Sequence, residues 1–456
     1  MEYALLFASA YVGVYFRFKE LLWQPETASL ENFPIKAFVF ASVLLLAMIS
    51  MGQYQLPAPR GKHLFTTIFI RTSINLALGT LVLFIIYYIF PQIYIGRGIM
   101  LIALTFCLIS ITLIRLIFYK TADSRTLRQR ILVLGAGKLA ELLLEKRRNG
   151  KQLVPKNASY VIHGFVAMDD QPPFIPRKYL VTPGDDLADY CENYGINEIV
   201  LAIGNRRKTM PVESLLDCKL SNINIIDFVA FWEREKGMLR IEMLNPSWMI
   251  FCDGCHQGNI SKFTYRTFDL ILSSIILVLM MPFLLITALL IYIENGFKGP
   301  IFYRQFRTGL NDKPFELLKF RSMVINAEAN GEAKWAAQND QRITWIGKLI
   351  RKVRIDELPQ ILNIFKGDMS LVGPRPERPE FVKELQKKIP FYEVRHRVKP
   401  GLAGWAQLKY PYGASEQDSY NKLQYDLYYV KNHSFIMDLF VLLQTIEVII
   451  LGKGAR

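Results

Sequence analysis

The sequence predicts three joined units: a membrane α-helical N-terminal bundle of four spans, an α/β Rossmann-like middle domain, and a mostly α monotopic C-terminal domain carrying a re-entrant membrane helix. Three observations carry that reading. Four nearly uninterrupted apolar runs fill the first 119 residues, a strand, glycine turn and helix pattern opens at Gln129, and a fifth apolar run at 265–295 is interrupted by Ser273, Ser274 and Pro282. The boundaries follow as 1–122, 123–260 and 261–456.

A chain of 456 residues exceeds one ordinary core, and 51% hydrophobic residues with 13% aromatics is greasier than most soluble proteins. The formal charge of +15 fits anionic lipid head groups and phosphorylated substrates. Nucleic acid is excluded as a partner because none of its usual binding motifs is present. Five cysteines, an odd number and mostly far apart, describe no disulfide framework.

The runs at 3–18, 35–52, 65–90 and 97–119 are read as four spans. The last two exceed the ~20 residues that cross ~30 Å of hydrocarbon, and the first is at the short end. No charged n-region or cleavage site marks a signal peptide. Arg60, Lys62 and His63 follow the second run and Lys120, Arg125, Arg128 and Arg130 the fourth, whereas Glu20, Glu26 and Glu31 dominate the first loop. This bias puts both termini in the cytoplasm. Arg71 and Arg115 then sit near the cytoplasmic ends of their helices, where snorkelling explains them.

From Arg130 the chain reads RILVLGAGKLAELLLE, the opening of a dinucleotide-binding βαβ unit. Gly135 and Gly137 are present, Ala140 stands at the third glycine position, and Asp169 and Asp170 come late for the ribose-binding acid. A scaffold that keeps the fold without a nucleotide is the preferred reading. Further strands are expected in 199–204 and 223–229. Cys252 and Cys255, in CDGCH, have half the spacing of a zinc site, but Cys107, Cys191 and Cys218 are isolated and offer no second pair. A turn with two incidental thiols is expected.

In the C-terminal domain a proline inside an apolar helix removes one hydrogen bond and bends the axis, while serines can satisfy freed carbonyls. Residues 266–293 are therefore read as entering and leaving one leaflet, with the break at Ser274 and Pro282. The final apolar segment, with Asp438 and Glu447, is short enough for an interfacial helix. The stretch RKVRIDELPQILNIFKGDMSLVGPRP at 351–376 then sets Asp356 and Glu357 beside Arg351 and Arg354 and ahead of a rigid corner holding Arg375. Carboxylates, cations and a stiff backbone gathered in one stretch suit chemistry on a phosphorylated substrate.

The motifs FD at 268–269, GPIFYRQFRTG at 299–309, FELLKFRSM at 315–323, RIDELPQ at 354–360, GDMSLVGPRP at 367–376 and RVKPGLAGWAQ at 397–407 resemble the bacterial sugar transferases, the polyprenyl-phosphate glycosyl-1-phosphate transferases. The whole architecture, with FWERE at 231–235 and LNPSW at 244–248, is similar to the long members associated with exopolysaccharide synthesis. The resemblance implies transfer of a sugar 1-phosphate from a UDP-sugar to undecaprenyl phosphate with release of UMP, at the bacterial inner membrane with the active domain cytoplasmic. It implies Asp356 as nucleophile, Glu357 as a Mg²⁺ ligand, and Arg351, Lys319, Arg321 and Arg375 as phosphate and donor contacts. Arg304, with Arg307 and Lys298, is expected to meet the acceptor phosphate or anionic membrane lipids. UDP-glucose or UDP-galactose is the first expected donor, N-acetylated sugars the next, and the middle domain makes a homodimer the assembly to test. Two rivals remain: a membrane-bound nucleotide-sugar dehydratase or epimerase, whose only Tyr-x-x-x-Lys is Tyr15 to Lys19 in a span, and a non-catalytic scaffold, which has no need of Asp356, Glu357, Arg351 and Arg375 together.

Overall fold

The computed structural model describes residues 1–18, 32–50, 64–121, 128–146, 152–153, 160–168, 174–184, 186–204, 210–244, 258–297, 299–324, 342–410, 413 and 415–450. The chain divides into two compact units, Met1–Glu235 and Lys236–Arg456.

In the first unit the four apolar runs are helices, Glu2–Arg17, Phe33–Ser50, Leu64–Ile89 and Arg97–Thr121. They share one core, in which Leu6, Phe40, Leu44, Leu83 and Ile111 are fully buried. By length and composition, three described helices could cross a membrane: Ile68–Ile89, Arg97–Phe118 and Asn259–Glu294. Arg115 corrects its expected role. Rather than snorkelling, it is buried in the bundle and donates from Nε and Nη2 to the two carboxylate oxygens of Glu2 at 2.7 and 2.6 Å. A charge inside a membrane bundle is tolerated when it finds such a partner.

The middle segment forms a parallel four-stranded sheet in the order Tyr160–Val166, Gln129–Leu134, Glu198–Leu201, Asn224–Asp227. The last two strands, EIVL and NIID, overlap the expected runs at 199–204 and 223–229, and helices Leu187–Asn193 and Val212–Leu220 bury Leu187, Cys191, Leu215 and Cys218 in the core beside the sheet. Cys191 and Cys218, read as isolated, are both buried in this core, and burial followed by the charge of Cys218 pushes the Cys191 thiol up to about 12. The expected helix after the glycine turn is a single turn, Lys138–Glu141. Gly135, at φ +117°, abuts the carbonyl of Ala202 just past the end of the neighbouring strand, so any side chain there collides with backbone. Phe174 N–H closes over the turn onto the carbonyl of Ala136 at 2.9 Å. Asp169, Asp170, Cys252 and Cys255 lie outside the described residues.

The second unit is mixed α/β where a mostly α domain was expected. FYRQFRT and PFELLKF alternate in burial and pair as an antiparallel hairpin, Phe302–Thr308 with Pro314–Phe320. Ser370–Val372 and Gly401–Ala403 form a short parallel pair. Around them pack helices Ile361–Lys366, Pro379–Lys388 and Glu416–Lys431, with Met369, Val394, Leu427 and Tyr429 in the core. Leu239 and Ile241, well upstream of Ser261, are buried in this same core. Leu239 N–H donates to the Gln424 carbonyl at 3.0 Å, and Trp405 Nε1 donates to the Gly237 carbonyl at 2.7 Å.

Residues 259–294 form one helix that runs through both Ser274 and Pro282, so the chain stays helical at the expected break. Ser274 Oγ donates to the Leu270 carbonyl at 2.7 Å, the ordinary back-bond of a helical serine, and leaves alone the Val278 carbonyl that the proline frees. The head of this helix is pinned where Asp269 accepts from Ser370 Oγ and Leu371 N–H, both at 3.0 Å, and where Arg266 donates to the carbonyls of Ile364 and Phe365. Its tail packs through Ile291 on Phe320, Ile346 and Ile350.

Candidate active site

The site is assembled by a strained turn. Arg354 adopts the left-handed conformation at φ +58°, uncommon for a residue with a side chain, and starts the 3₁₀ turn Ile355–Gln360. That turn presents Asp356 and Glu357 against the strand carrying Lys319. Asn363, nearly fully buried, cross-braces the two: its Oδ1 accepts from Leu318 N–H at 3.1 Å and its Nδ2 donates to the Glu316 carbonyl at 2.7 Å. Both backbone groups lie just before Lys319 in its strand, so the brace ties that strand to the helix that follows the carboxylates.

Glu357 is the hub. Arg375 Nη2 donates to its Oε1 at 2.6 Å, Lys319 Nζ lies 3.6 Å from the same oxygen, and Arg354 Nη1 lies 3.6 Å from Oε2. Although burial opposes the charge, Arg375, Lys319 and Arg354 together hold this carboxyl well below the usual range. Asp356 goes the other way: burial raises it first and the Glu357 charge next, against the pull of Lys319, Arg351 and Arg375. Burial brings Lys319 down to about 8. Two adjacent carboxylates with opposite tendencies are a recurrent feature of reacting pairs. Arg351 is steered by its Nε bond to Ser322 Oγ at 2.9 Å.

Arg375 stands between Pro374 and Pro376, and the corner is clamped from behind. Arg395 Nη2 donates to the Arg375 carbonyl at 2.9 Å, and Arg307 Nη1 donates to that of Pro376 at 3.2 Å. Arg395 is buried on Asp426 at 2.8 Å and on the Tyr392 hydroxyl at 2.7 Å.

The structure thus gathers Asp356, Glu357, Lys319, Arg351 and Arg375, together with Arg354 of the same basic run. It does not bring in Arg304, which is exposed on the hairpin 3.5 Å from Glu316, or Arg321, whose Nε donates to the Pro300 carbonyl at 3.0 Å. Asn363, Arg395 and Asp426 escaped the sequence reading. The only signal for Asn363 was a polar residue inside an apolar helical run, and the other two lie in no chemical pattern.

Residues 260–452 match the bacterial sugar transferase family. The uncharacterized sugar transferase EpsL of Bacillus subtilis is 38% identical over 191 residues, 42% of this chain and 89% of EpsL. The chain belongs to the bacterial sugar transferases. A second relative is the UDP-N-acetylgalactosamine-undecaprenyl-phosphate N-acetylgalactosaminephosphotransferase of Aeromonas hydrophila, 40% identical over 242 residues. A third is the UDP-glucose:undecaprenyl-phosphate glucose-1-phosphate transferase of Klebsiella pneumoniae, 37% identical over 275 residues. The matched stretches cover 53% and 59% of this chain, and only 56% and 58% of those two relatives' own lengths. As a bacterial sugar transferase the chain carries its site motifs, from FD at 268–269 to GWAQ at 404–407, within the matched region.

Proposed function

We propose that this bacterial sugar transferase moves a hexose 1-phosphate from a UDP-sugar to undecaprenyl phosphate as the initiating step of exopolysaccharide synthesis. The observation that carries the reading is the Asp356–Glu357 pair in its ring of cations. Four cations, Lys319, Arg351, Arg354 and Arg375, face two carboxylates, a formal surplus of positive charge that receives a diphosphate. Donor and acceptor are both anions and repel each other, so a covalent relay divides the transfer. An Asp356 carboxylate oxygen attacks the phosphorus that bears the sugar, and the bond from that phosphorus to the UMP oxygen breaks. UMP leaves with the electron pair. A phosphate oxygen of the lipid then attacks the same phosphorus, forming the diphosphate and returning the Asp356 carboxylate.

Glu357 and Asp356 offer hard oxygen donors of the kind Mg²⁺ takes, one or two carboxylates completed by substrate phosphates, and the cations keep Glu357 ionised. The fit is therefore to an ion entering with the donor, since cations already surround Glu357. When bound, Mg²⁺ would offset the charge of the diphosphate and of the leaving UMP. Arg375, stiffened by its prolines, and Arg351, steered by Ser322, grip phosphate oxygens.

For the membrane arrangement we infer four spans, with residues 120–456 on the cytoplasmic face and helix 259–294 dipping into one leaflet. The two ends of that helix support this. Arg266 reaches Ile364 and Ile291 reaches Phe320, while the neighbouring Asn363 is bonded to Leu318. A straight helix would carry Ile291 ~38 Å from Arg266 at ~1.5 Å per residue, which is hard to reconcile with both ends closing on one small body. A bend at Pro282 relieves the conflict.

The deciding experiment measures UMP release and label transfer from a β-³²P UDP-sugar panel in membranes supplied with undecaprenyl phosphate. Glucose, galactose and their N-acetylated forms should separate the donors. Absence of any UMP formation, or label reaching lipid without passing through protein, refutes the reading.

A further inference from the structure

The first unit holds a cavity of about 530 Å³ whose wall includes Arg17, Lys36 and Arg97 together with Phe18, Phe33 and Tyr94. It lies at one end of the helical bundle, where the last turn of helix Glu2–Arg17 meets the first turns of Phe33–Ser50 and Arg97–Thr121. Neither of those first turns contains an acidic residue, so no acidic side chain within them offsets the positive ends of the two helices beside three cations. Gly98 sharpens the point. A Cβ there would lie 3.1 Å from Arg17 Nε, so the missing side chain lets a guanidinium lie against the positive end of helix Arg97–Thr121. Among the described residues no carboxylate is paired with Arg17, Lys36 or Arg97.

Like charges brought together over a cavity whose described residues supply no counter-charge repel, and an anion removes the repulsion. The aromatic wall at the end of an apolar bundle adds a surface that a hydrocarbon chain can follow, which inorganic ions do not use. Charge bias makes the arrangement more unusual. In a four-span bundle this end is opposite to Met1, on the side where lysine and arginine are normally scarce.

We propose that this pocket binds a phosphate group, presented by a membrane amphiphile whose chain lies along the aromatic wall. The inference does not depend on the transfer chemistry, and none of its residues belongs to the Asp356 cluster. The test uses the purified full-length chain in detergent, titrated with dioctanoyl phosphatidic acid and followed by native mass spectrometry, with inorganic phosphate as competitor. Each charge-assisted bond to phosphate is worth about tenfold in affinity. Lys36→Gln should therefore bind about tenfold more weakly and Arg17→Gln/Lys36→Gln weaker still, while Lys36→Arg retains binding. Circular dichroism and ligand-free melting identify any variant that has not folded, and Lys36→Arg, which keeps the charge, then carries the comparison. Failure of inorganic phosphate to compete at equal concentration supports the amphiphile, and equal competition assigns the site to free phosphate and overturns the amphiphile. Equal affinity in wild type and Lys36→Gln overturns it. So does binding that appears only when Glu20, Glu26 and Glu31 are changed to Gln, because the chain's own carboxylates would then be the resident anions.

Discussion

Asp356 and Glu357 are neighbours in sequence, yet conservative amides at the two positions should move stability in opposite directions. Glu357→Gln keeps the shape and removes the charge that Arg375 meets at 2.6 Å and Lys319 and Arg354 at 3.6 Å. Breaking a buried pair costs ~3–5 kcal/mol, but Arg375 and Arg354 remain some 40% exposed, at 39% and 40%, and water rescues part of the loss. About 2 kcal/mol is expected, or roughly 4–8 °C in melting for a unit of this size. Asp356→Asn relieves a carboxyl whose ionisation is opposed by burial and by Glu357, and should gain about 1 kcal/mol, the usual size of a stability–activity trade. The sign is fixed by linkage. A folded-state pKa raised above the unfolded value means that stability is lost as pH rises through the folded value, so the gain from Asn is full at pH 7.5 and shrinks as pH falls and Asp356 takes a proton. The assay is differential scanning fluorimetry of the full chain at pH 7.5 and at pH 5, paired with UMP release. Asp356→Asn should be inactive and more stable. Melting that falls equally in both variants, or appreciable turnover by Asp356→Asn, would refute the assignment of roles.

Three further outcomes follow from the same geometry. Because Lys319 sits near 8, its charge is lost as pH rises through that value, so UMP release should fall on the alkaline side; in Lys319→Arg the fall should move higher, and an unmoved limb would exclude Lys319 as its source. Gly135→Ala should destabilise the middle sheet by about 2 kcal/mol or more through its collision with Ala202, with no rescue of melting by added nucleotide, and rescue would reveal a nucleotide site. A chain starting at Ser261 should fold less well than one starting at Lys236, since it lacks Leu239, Ile241 and the Gly237 carbonyl that holds Trp405; equal melting of the two would show this strap to be dispensable.

Periodicity carried much of the fold. Uninterrupted apolar runs gave the N-terminal helices, and short β-branched runs gave the parallel strands, because both signals are local. The hairpin at 302–320 is not legible as a strand pair, since FYRQFRT alternates over only seven residues and its arginines dominate the pattern. Arg115 and Glu2 illustrate the other kind of miss. Their partnership spans 113 positions, and no local pattern predicts which charges a bundle brings together. At the site, the motifs delivered Asp356, Glu357, Lys319, Arg351 and Arg375, whereas Asn363 and Arg395 act through backbone carbonyls and amides that sequence spacing does not encode.

The opposed tendencies of the two carboxylates also give a reason for the proposed assignment of the nucleophile to the more weakly paired one, Asp356. A carboxylate already held by arginine and lysine has its lone pairs engaged, and attack on phosphorus would require those bonds to break first. Glu357, with three cations at hydrogen-bond or ion-pair distance, is in that state. Asp356 feels Lys319, Arg351 and Arg375 chiefly as charges at longer range, which helps it ionise without occupying its oxygens. Burial keeps it basic for a carboxylate, and basicity favours attack. When a diphosphate enters, Arg375 and Lys319 can turn from Glu357 toward the new anion, leaving Glu357 oxygens to a metal arriving with it. On this account, Mg²⁺ affinity should rise with donor present and stay weak in its absence. Isothermal titration of Mg²⁺ into the full chain with and without a UDP-sugar phosphonate analogue measures the difference, and equal affinity in both would mean that Glu357 is not released by the donor.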